Sequence, residues 1–578
     1  MIPNRAVADL FEAVADSMEV LGQDRFRILA YRRAAAALAE LPMPLADYYS
    51  QGRLQEIPGV GKIIADKIVT ILDTGTLPLY EELKEQVPPS VLEMLKVPDI
   101  GPRTAYRLHT EAKISSVEAL KKAAEAGELR KLKGFGAKTE ARILEGIEAL
   151  ARREQRMIMP YALGIAETLL ESLRAAAPSI VEASYAGSLR RARPTTGDID
   201  LLAAADDPAA VVKAFLGLRE IAQVISSGDE KASVMIHSGQ QVDLLVVPPA
   251  QWGSALQHFT GSKAHNIRFR EQVVARGMSF SEHGFLLPDG TLEPCRTEAE
   301  VYAKLGLPYI PPELREDVGE FDAAREGRLP DLITQDAIRA DLHMHSTWSD
   351  GDASIREMAE AARARGYSHI AITDHSAYLG VTGGVTPERL RQQAAEIAEL
   401  NAEYSKAGID FRILHGVEVD ITPDGTLALP DDALAQLDWV VASLHVSLRQ
   451  ERVEITERLL KAIANPHVDL IGHPTGRILE RREGADLDME AIIKAAVEHN
   501  TALEINCGPD RLDLDPVYAR RALELGATLA IDSDAHHPSN LEWMRYGVLM
   551  ARRSWAESDR VLNTWSLDRL LEWIKQKG

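Results

Sequence analysis

Residues 187–200 read GSLRRARPTTGDID, and this stretch decides how the fold is interpreted. Asp198 and Asp200 stand two residues apart and lead into an apolar run. Because side chains two apart on a strand leave the same face, a strand here would let both carboxylates bind the same divalent cations. A third carboxylate, Asp243, lies in a second apolar segment predicted as a strand. Three carboxylates on neighbouring strands are the usual way to hold two Mg²⁺ ions for in-line phosphoryl transfer, so the pattern predicts such a centre.

The residues before these carboxylates are suited to a triphosphate. The Gly-Ser pair at 187–188 allows close approach of the backbone and supplies a hydroxyl, and the arginines that follow supply cationic forks. An isolated Asp-x-Asp is more often a turn or a solvated edge. The fixed spacing of Gly-Ser-x-x-Arg before Asp-x-Asp, together with Asp243, favours the nucleotidyl-transfer site over that alternative.

At this point the chain resembles the palm of the family X DNA polymerases. Residues 258–266, HFTGSKAHN, with Arg270 beyond them, are similar to the family's nucleotide-binding segment between palm and thumb. The resemblance implies that Asp198, Asp200 and Asp243 are the catalytic metal ligands, and that Asp243 accepts the proton of the primer 3′-hydroxyl. It implies Mg²⁺ or Mn²⁺ as the cofactor there and a template-strand contact by Arg270. The implied nucleotide-binding residues are Gly187, Ser188, Arg191, Gly197, Phe259, Gly261, Lys263 and Asn266.

Two positions depart from the family pattern. His258 stands where vertebrate members carry tyrosine, which leaves the choice between ribose and deoxyribose open. Lys263 stands where an acidic residue is familiar, and its positive charge is expected to strengthen nucleotide binding in the absence of DNA.

The composition is that of an ordinary soluble protein with several domains. The chain has 578 residues, of which 46% are hydrophobic and 26% are charged. It shows no apolar run long enough for a transmembrane helix and no signal-peptide pattern, so we expect a cytoplasmic protein without a membrane contact. Cys295 and Cys507 are the only cysteines and lie far apart, which argues against a disulfide framework and against a cysteine-based zinc site.

The net charge of −22 is unevenly distributed. Residues 101–156 carry thirteen Lys and Arg against eight Asp and Glu. Because the Debye length at physiological salt is about 8 Å, acidic surface on another domain hardly weakens a basic groove. We expect weak to moderate, strongly salt-dependent binding of DNA.

The first 150 residues are predicted to be helical and contain a degenerate repeat at 56–62, 96–102 and 131–137. Each copy has an apolar anchor, a tight turn with glycine, and then a helix that carries Lys or Arg. The repeat resembles the helix-hairpin-helix motif, whose free N–H groups contact phosphates without reading sequence. The alternative is a plain helix junction, which three copies disfavour. The implied DNA-binding residues are Gly59, Gly61, Lys62, Gly101, Arg103, Gly134, Gly136 and Lys138.

Lys67 lies on the helix after the first hairpin, where some family members use a lysine as a Schiff-base nucleophile against an abasic sugar. That reaction needs a neutral amine. The alternative is that Lys67 only contacts a phosphate, and both interpretations stay open.

A second pattern begins after residue 338, where short apolar segments alternate with helical stretches. Ligands collected at the carboxyl ends of successive parallel strands are typical of a barrel enzyme's active site. A single buried histidine is usually a core residue, but six strands that end in His, Asp or Glu argue against that alternative. These predicted strands end at His343, His375, Glu418, His445, His473 and Asp534.

This half is similar to the PHP (polymerase and histidinol phosphatase) domain, a distorted barrel with up to three metal ions. Mixed imidazole and carboxylate ligands suit Zn²⁺, Mn²⁺ or Fe²⁺ better than Mg²⁺ alone, and clustered cations favour phosphoester hydrolysis. The implied ligands are His343, His345, Asp350, His375, Glu418, His445, His473, Asp534 and His536.

The predicted fold is multidomain, with α+β and α/β parts: a helical helix-hairpin-helix region, a nucleotidyltransferase-type palm with a thumb, and a distorted TIM-like barrel. The acidic, aperiodic stretch before the barrel, with eight acids and three arginines between 313 and 336, is interpreted as a linker. The predicted boundaries are 1–80 for a DNA-end-binding domain, 81–155 for fingers, 156–250 for the palm, 251–315 for the thumb, 316–338 for the linker and 339–578 for the PHP domain.

The resemblance implies a gap-filling DNA repair polymerase of the base excision type, coupled to a metal-dependent 3′→5′ exonuclease. Action at abasic sites or on 3′-phosphates is a further possibility that it implies. Gapped or primer-template DNA and dNTPs would be the partners of a monomer. The alternatives are a phosphomonoesterase tethered to a DNA-binding module and a non-catalytic DNA-end scaffold.

Overall fold

The structure of the chain is a computed structural model. It describes residues 4–576 except 40, 42–44, 58, 98–99, 133–134, 137–138, 145, 148–155 and 381. The predicted fold class is confirmed: a helical region is followed by a mixed sheet, a smaller sheet with helices, and a parallel barrel. No helix among these residues is long and apolar enough to cross a membrane.

The amino-terminal region packs around two separate apolar clusters, one drawn from residues 7–83 and the other mainly from 87–147. Its α-helices are Asn4–Val20, Arg25–Ala39, Leu45–Ser50, Lys62–Thr74, Pro78–Gln86, Pro89–Glu93, Pro102–Glu111 and Val117–Glu125. Its 3₁₀ turns are Leu54–Glu56, Met94–Lys96 and Leu129–Lys131.

The sequence repeat in this region is also a structural repeat. One of the three 3₁₀ turns ends at the first residue of each copy, and a backbone N–H within the copy then donates to the carbonyl three residues earlier. These bonds join Val60 to Ile57 at 3.0 Å, Ile100 to Val97 at 3.1 Å and Phe135 to Leu132 at 3.1 Å. Gly61 and Gly101 then cap the following helices with nearly equal backbone angles, φ −76° and −82°. The predicted hairpins are therefore built alike.

The central domain contains a five-stranded sheet. In spatial order its strands are Glu182–Tyr185, Ile199–Ala204, Gln241–Val247, Lys231–Ile236 and Ile221–Ser227. Only the Ile199–Ala204 and Gln241–Val247 pair is parallel. Helices Met159–Ala176 and Pro208–Leu216 pack on one face, and Trp252–Thr260 packs on the other. A short antiparallel pair joins Met157–Ile158 to Thr195–Thr196.

Alternation along the two parallel strands decides where their carboxylates point. Leu201 and Leu244 lie in the core of one face, whereas Leu202 and Leu245 pack with helix Trp252–Thr260 on the other. Since side chains alternate, Asp200 and Asp243 lie on this second face.

A smaller domain follows, built on helices Lys263–Val274, Glu298–Ala303 and Glu320–Arg325. Its antiparallel strands are Ser279–Ser281, Gly284–Leu286 and Leu292–Glu293. The stretch 316–338, interpreted as a linker, contributes Phe321 and Ala324 to this domain's core. These two residues are three apart on a helix and form an apolar stripe, which the count of charged residues did not reveal. The stretch therefore packs as a folded connection.

The carboxy-terminal half forms a parallel barrel whose seven strands neighbour each other in chain order. They are Ala340–Asp341, His369–Ile372, Arg412–Asp420, Trp439–Ser443, Leu470–Gly472, Ala502–Asn506 and Leu529–Asp532. Its α-helices are Ile355–Ala364, Pro387–Lys406, Asp431–Leu434, Arg452–Ile463, Met489–Glu498, Pro516–Leu525, Met544–Arg553 and Leu567–Lys575.

The barrel is nearly closed. A parallel bridge joins Met344 to Ala535, and the Asp534 N–H donates to the His343 carbonyl at 3.0 Å, which connects the first strand to the last. Trp439 fills the interior next to helix Leu567–Lys575. Apolar packing therefore closes one end, and the carboxyl ends of the strands carry the polar residues.

Candidate functional site

Two of the three predicted carboxylates of the central domain lie side by side on one face of the sheet. Asp200 and Asp243 are direct neighbours in the register of the two parallel strands. Asp198 lies in the bend that leads into the first of these strands, and all three side chains are partly exposed. Neighbouring, accessible carboxylates form a donor set that fits hard divalent cations.

Two residues that the sequence analysis did not identify hold Asp243. Ser233, its partner on the adjacent antiparallel strand, donates its hydroxyl to Asp243 Oδ1. Gln241 Nε2 lies 3.1 Å from both carboxylate oxygens. Gln241 could have been identified from the sequence, because it stands two residues before Asp243, and side chains two apart on a strand lie on the same face.

The short helix Gly187–Arg190, which carries part of the predicted triphosphate contacts, is tied to the segment just before strand Ile199–Ala204. Ser188 Oγ lies 2.6 Å from Thr196 Oγ1, which donates to the Asp198 carbonyl at 2.8 Å. Gly187 has φ +59°, and a Cβ there would collide with Asp200 Oδ2. Glycine is therefore required both for its backbone angle and for the approach of this carboxylate.

We predict that Gly187→Ala lowers the rate of nucleotide incorporation by about 100-fold, because the new methyl group displaces the Asp200 carboxylate. Single-turnover primer extension measures this rate. Gly217→Ala is the matched control, since Gly217 lies in the same domain, has φ −90° and leaves ordinary contact distance for a Cβ. Equal rates for Gly187→Ala and the unmodified protein would contradict the prediction.

Arg190 and Arg191 both bridge the central domain to the domain that follows. The Arg190 guanidinium binds both carboxylate oxygens of Glu298, at 2.9 and 2.7 Å. Burial opposes ionisation of Glu298, but Arg315 and Arg190 lower its pKa to about 2. Arg191 donates from Nε to Glu316 at 3.0 Å and from Nη1 to the Thr260 carbonyl at 2.5 Å.

The other predicted nucleotide contacts surround helix Lys263–Val274. Asn266 is buried and donates to the His258 carbonyl at 2.7 Å, while its Oδ1 accepts from Gln257 at 3.0 Å. Phe259 is partly buried against the sheet, and Gly261 follows helix Trp252–Thr260 with φ +70°. Gly197 lies in the bend before Asp198.

Lys263 and Arg270 are exposed on the same helix. Lys263 lines a cavity of about 470 Å³ together with Arg32, Arg33 and Gly59 of the amino-terminal region. Arg270 donates to the Asn266 carbonyl at 3.2 Å.

The predicted DNA contacts lie on the surface where the structure describes them. Gly59 has φ +79° and is exposed. Gly134 and Lys138 lie outside the described residues. Lys67 is partly exposed on helix Lys62–Thr74. The other exposed members are Gly61, Lys62, Gly101, Arg103 and Gly136.

The nine predicted ligands of the barrel form one cluster at the carboxyl ends of its strands. Eight of them form three overlapping groups, and the ligand atoms within each group lie within 4.8 Å of one another. The groups are His345 with Asp350, His375 and His536; His343 with His345 and Asp534; and His375 with Glu418 and His445. The ninth residue, His473, lies 3.1 Å from Glu418.

Glu418 occupies the middle of this cluster. Its carboxylate lies within 3.7 Å of nitrogen atoms from five histidines, although it is fully buried. The five histidines are His343, His345, His375, His445 and His473. A buried carboxylate that is surrounded by five imidazoles is suited to bridge cations.

Buried atoms without hydrogen bonds test whether metal ions fit. Among the described residues, His343 Nε2, His375 Nδ1 and Glu418 Oε2 have no hydrogen-bond partner. His375 Nδ1 and Glu418 Oε2 lie 2.7 Å apart, yet their geometry is not that of a hydrogen bond. Because such groups are costly to bury unsatisfied, the donor set fits bound cations.

Partners on the far side orient the imidazoles. His343 Nδ1 lies 2.7 Å from Glu504, and His445 Nδ1 lies 2.8 Å from Asp420. Such contacts direct the other ring nitrogen toward a metal and raise its basicity. Asp420 was not identified from the sequence, although it stands two residues after Glu418 on the same strand.

Charge states of two cluster members, Glu418 and His345, agree with metal ligation, whereas nearby carboxylates outweigh burial and raise the pKa values of His343, His375, His445 and His536. Burial raises the pKa of Glu418, but His375 and its neighbours outweigh this and bring it well below the usual value. Burial, together with His536 and His375, lowers the pKa of His345 to about 3. An ionised carboxylate and a neutral imidazole are the forms that bind metals.

Comparisons with protein families cover most of the chain. A "Helix-hairpin-helix domain" model matches residues 2–77, and a "SAM-like Helix-hairpin-helix tandem" model matches 91–149. A "DNA polymerase beta thumb" model matches residues 255–316, and a "PHP domain" model matches 341–508.

Individual proteins are similar to the whole chain or to one half. A protein of Bacillus subtilis (strain 168) named DNA polymerase/3'-5' exonuclease PolX is 42% identical over 570 residues, 98% of both chains. DNA polymerase lambda of Rattus norvegicus is 26% identical over 54% of this chain and 56% of its own length. A probable phosphatase of Thermoanaerobacter sp. (strain X514) is 32% identical over 41% of this chain and 94% of its own length.

Proposed function

Because the chain belongs to the family X DNA polymerases that carry a PHP domain, we propose that its two carboxylate-rich centres have opposite tasks. The protein is a DNA-directed DNA polymerase of DNA repair with an associated 3′→5′ exonuclease, and it depends on divalent metal ions. In our proposal the central carboxylates serve addition of a dNTP, and the barrel cluster serves removal of the 3′-terminal nucleotide.

The observation that carries the first assignment is the register of Asp200 opposite Asp243, with Asp198 immediately before the strand. These three residues would hold Mg²⁺ or Mn²⁺, which would neutralise the triphosphate and activate the primer hydroxyl. Asp243, oriented by Ser233 and Gln241, would accept the hydroxyl proton.

The protein's own groups would position the nucleotide for attack. Ser188 and the backbone at Gly187 would donate to phosphate oxygens, and Arg191 would add a positive charge. Phe259 and Gly261 would border the sugar. Gly197, Lys263 and Asn266 complete the proposed nucleotide site, and Arg270 would contact the template strand.

The observation that carries the second assignment is the convergence of nine ligands around Glu418. These residues would hold up to three ions, Zn²⁺ or Mn²⁺, which would polarise a phosphodiester and supply an activated water. Arg511 Nε, 3.8 Å from Asp534 Oδ2, would bring a positive charge to the rim, where the scissile phosphate enters.

The amino-terminal hairpins would bind the DNA backbone on both sides of a short gap. Their exposed glycines leave backbone N–H groups accessible at helix starts, which suits contacts to phosphate. Lys67 would serve either as a lyase nucleophile or as a phosphate contact. A monomer acting on gapped DNA in the cytoplasm completes the proposal.

A second activity of the barrel is favoured by a specific observation. The similarity to the Thermoanaerobacter protein covers nearly all of that protein, which is named a probable phosphatase. We therefore propose that the barrel also removes a 3′-phosphate from DNA, leaving a hydroxyl that the central site can extend.

The test uses a labelled one-nucleotide gap with either a 3′-hydroxyl or a 3′-phosphate primer, with Mg²⁺ and Mn²⁺ compared. We expect gap filling from the hydroxyl primer with dNTPs and shortening of the primer without them. Conversion of the phosphate primer before extension would support the second activity. Absence of both extension and shortening would refute the assignment of the two centres.

A further inference from the structure

The last turn of a barrel helix contacts Arg191, one of the residues proposed to bind the triphosphate. Helix Met544–Arg553 ends in two adjacent arginines that both reach out of the barrel domain. Arg552 donates to Glu313 at 2.7 Å and to the Ile333 carbonyl at 2.9 Å. Arg553 donates from one nitrogen, Nη1, to the Arg191 carbonyl at 3.0 Å and to Glu316 Oε1 at 2.8 Å.

Glu316 therefore joins two arginines from different domains. Its Oε1 accepts from Arg191 Nε at 3.0 Å as well as from Arg553. The side chains of Arg191, Glu316 and Arg553 are 13%, 12% and 6% exposed, respectively. In such surroundings charge-assisted hydrogen bonds are strong, and an unpaired charge is costly.

These contacts fix Arg191 in a defined pose. Its Nε is held by Glu316 and its Nη1 by the Thr260 carbonyl. Within the part of the chain that the structure describes, Nη2 makes no hydrogen bond. A guanidinium with two nitrogens immobilised can offer the third to an anionic oxygen with little further loss of entropy.

We propose that Arg553 and Glu316 are positioning residues for dNTP binding, so that the exonuclease domain helps to set the affinity of the polymerase site for its nucleotide. The inference rests on the proposed contact between Arg191 and the triphosphate. Without Arg553, the Arg191 backbone loses one donor and Glu316 loses one of its two partners. Arg193, whose Nη1 lies 4.0 Å from Glu316, could then compete for the carboxylate.

The experiment measures single-nucleotide gap filling, exonuclease rate and thermal unfolding for Arg553→Met and Arg552→Met in the full chain. We expect Arg553→Met to raise the dNTP KM about fivefold, with kcat within about twofold and exonuclease unchanged. Arg552→Met removes a neighbouring ion pair of the same interface, without a contact to Arg191, and should leave KM unchanged. Arg553→Lys should restore part of the affinity, because it retains one donor at the same position.

A double-mutant cycle with Glu316→Gln tests the chain of contacts. If Arg553 acts through Glu316, the double variant should raise KM little beyond the larger single effect. An unchanged KM in Arg553→Met would overturn the inference, and so would an equal rise in Arg552→Met. Arg191→Ala distinguishes a failure of the proposed function from a failure of this inference. If it leaves KM unchanged, the proposed triphosphate contact fails. If only Arg191→Ala raises KM, the positioning role alone fails.

Discussion

Replacement of Asp243 by alanine should lower the rate of nucleotide incorporation by at least about 1000-fold and leave the 3′→5′ exonuclease intact. Asp243 and Asp200 are neighbours across two parallel strands, so loss of one carboxylate removes charge from the centre of the proposed cation site. It also removes the group that would accept the proton of the primer hydroxyl. Single-turnover extension of a one-nucleotide gap measures the loss.

Asp206→Ala is the control for this variant, because it removes an exposed carboxylate from the same domain. Asp243→Asn retains the volume and the contact to Ser233, and it should fail almost as completely. If Asp243→Asn kept most of the activity, the carboxylate charge would not be needed and the assignment would be wrong. Loss of both activities in Asp243→Ala would point to a folding defect.

Replacement of Glu418 by glutamine should produce the opposite separation. We expect the exonuclease rate to fall by about 1000-fold, together with loss of bound metal, while gap filling stays within about twofold. The amide has almost the same shape but no negative charge, and Glu418 is the carboxylate around which five histidines converge. Elemental analysis and a 3′-end-labelled primer provide the two measurements.

Glu403→Gln serves as the control, because Glu403 forms an exposed ion pair with Arg356 within the same domain. His343→Ala is a second route to the same result, since it removes a ligand without changing the central carboxylate. Full exonuclease activity with unchanged metal content in Glu418→Gln would refute the barrel assignment. Loss of polymerase activity in both variants would show instead that the two centres depend on each other.

Residue spacing in the sequence predicted much of the central site. Asp198 and Asp200 are two apart, so strand alternation predicts one face for both, but the strand begins at Ile199 and places only Asp200 in this way. Their alignment with Asp243 required the strand order, in which Gln241–Val247 pairs with Ile199–Ala204. Ser233 could not be predicted, because its position opposite Asp243 depends on the register of a third strand.

The barrel ligands were predictable for a related reason. Parallel strands in a barrel all end on the same side, so residues at strand ends converge whatever the order of the strands. Asp420 is different, because its role depends on which ring nitrogen of His445 faces the cluster. The connection at Glu316 was also missed, since charge counts along the chain do not indicate that Arg553 lies in space beside Arg191.

The bridge between Met344 and Ala535 has a consequence for synthesis of the protein. His343 and His536 stand 193 residues apart in the chain but belong to one cluster, which closes only when the last strand is in place. A nascent chain on the ribosome, or one cut by a protease before residue 529, lacks Asp534 and His536. Incomplete copies of the protein should therefore be unable to degrade DNA.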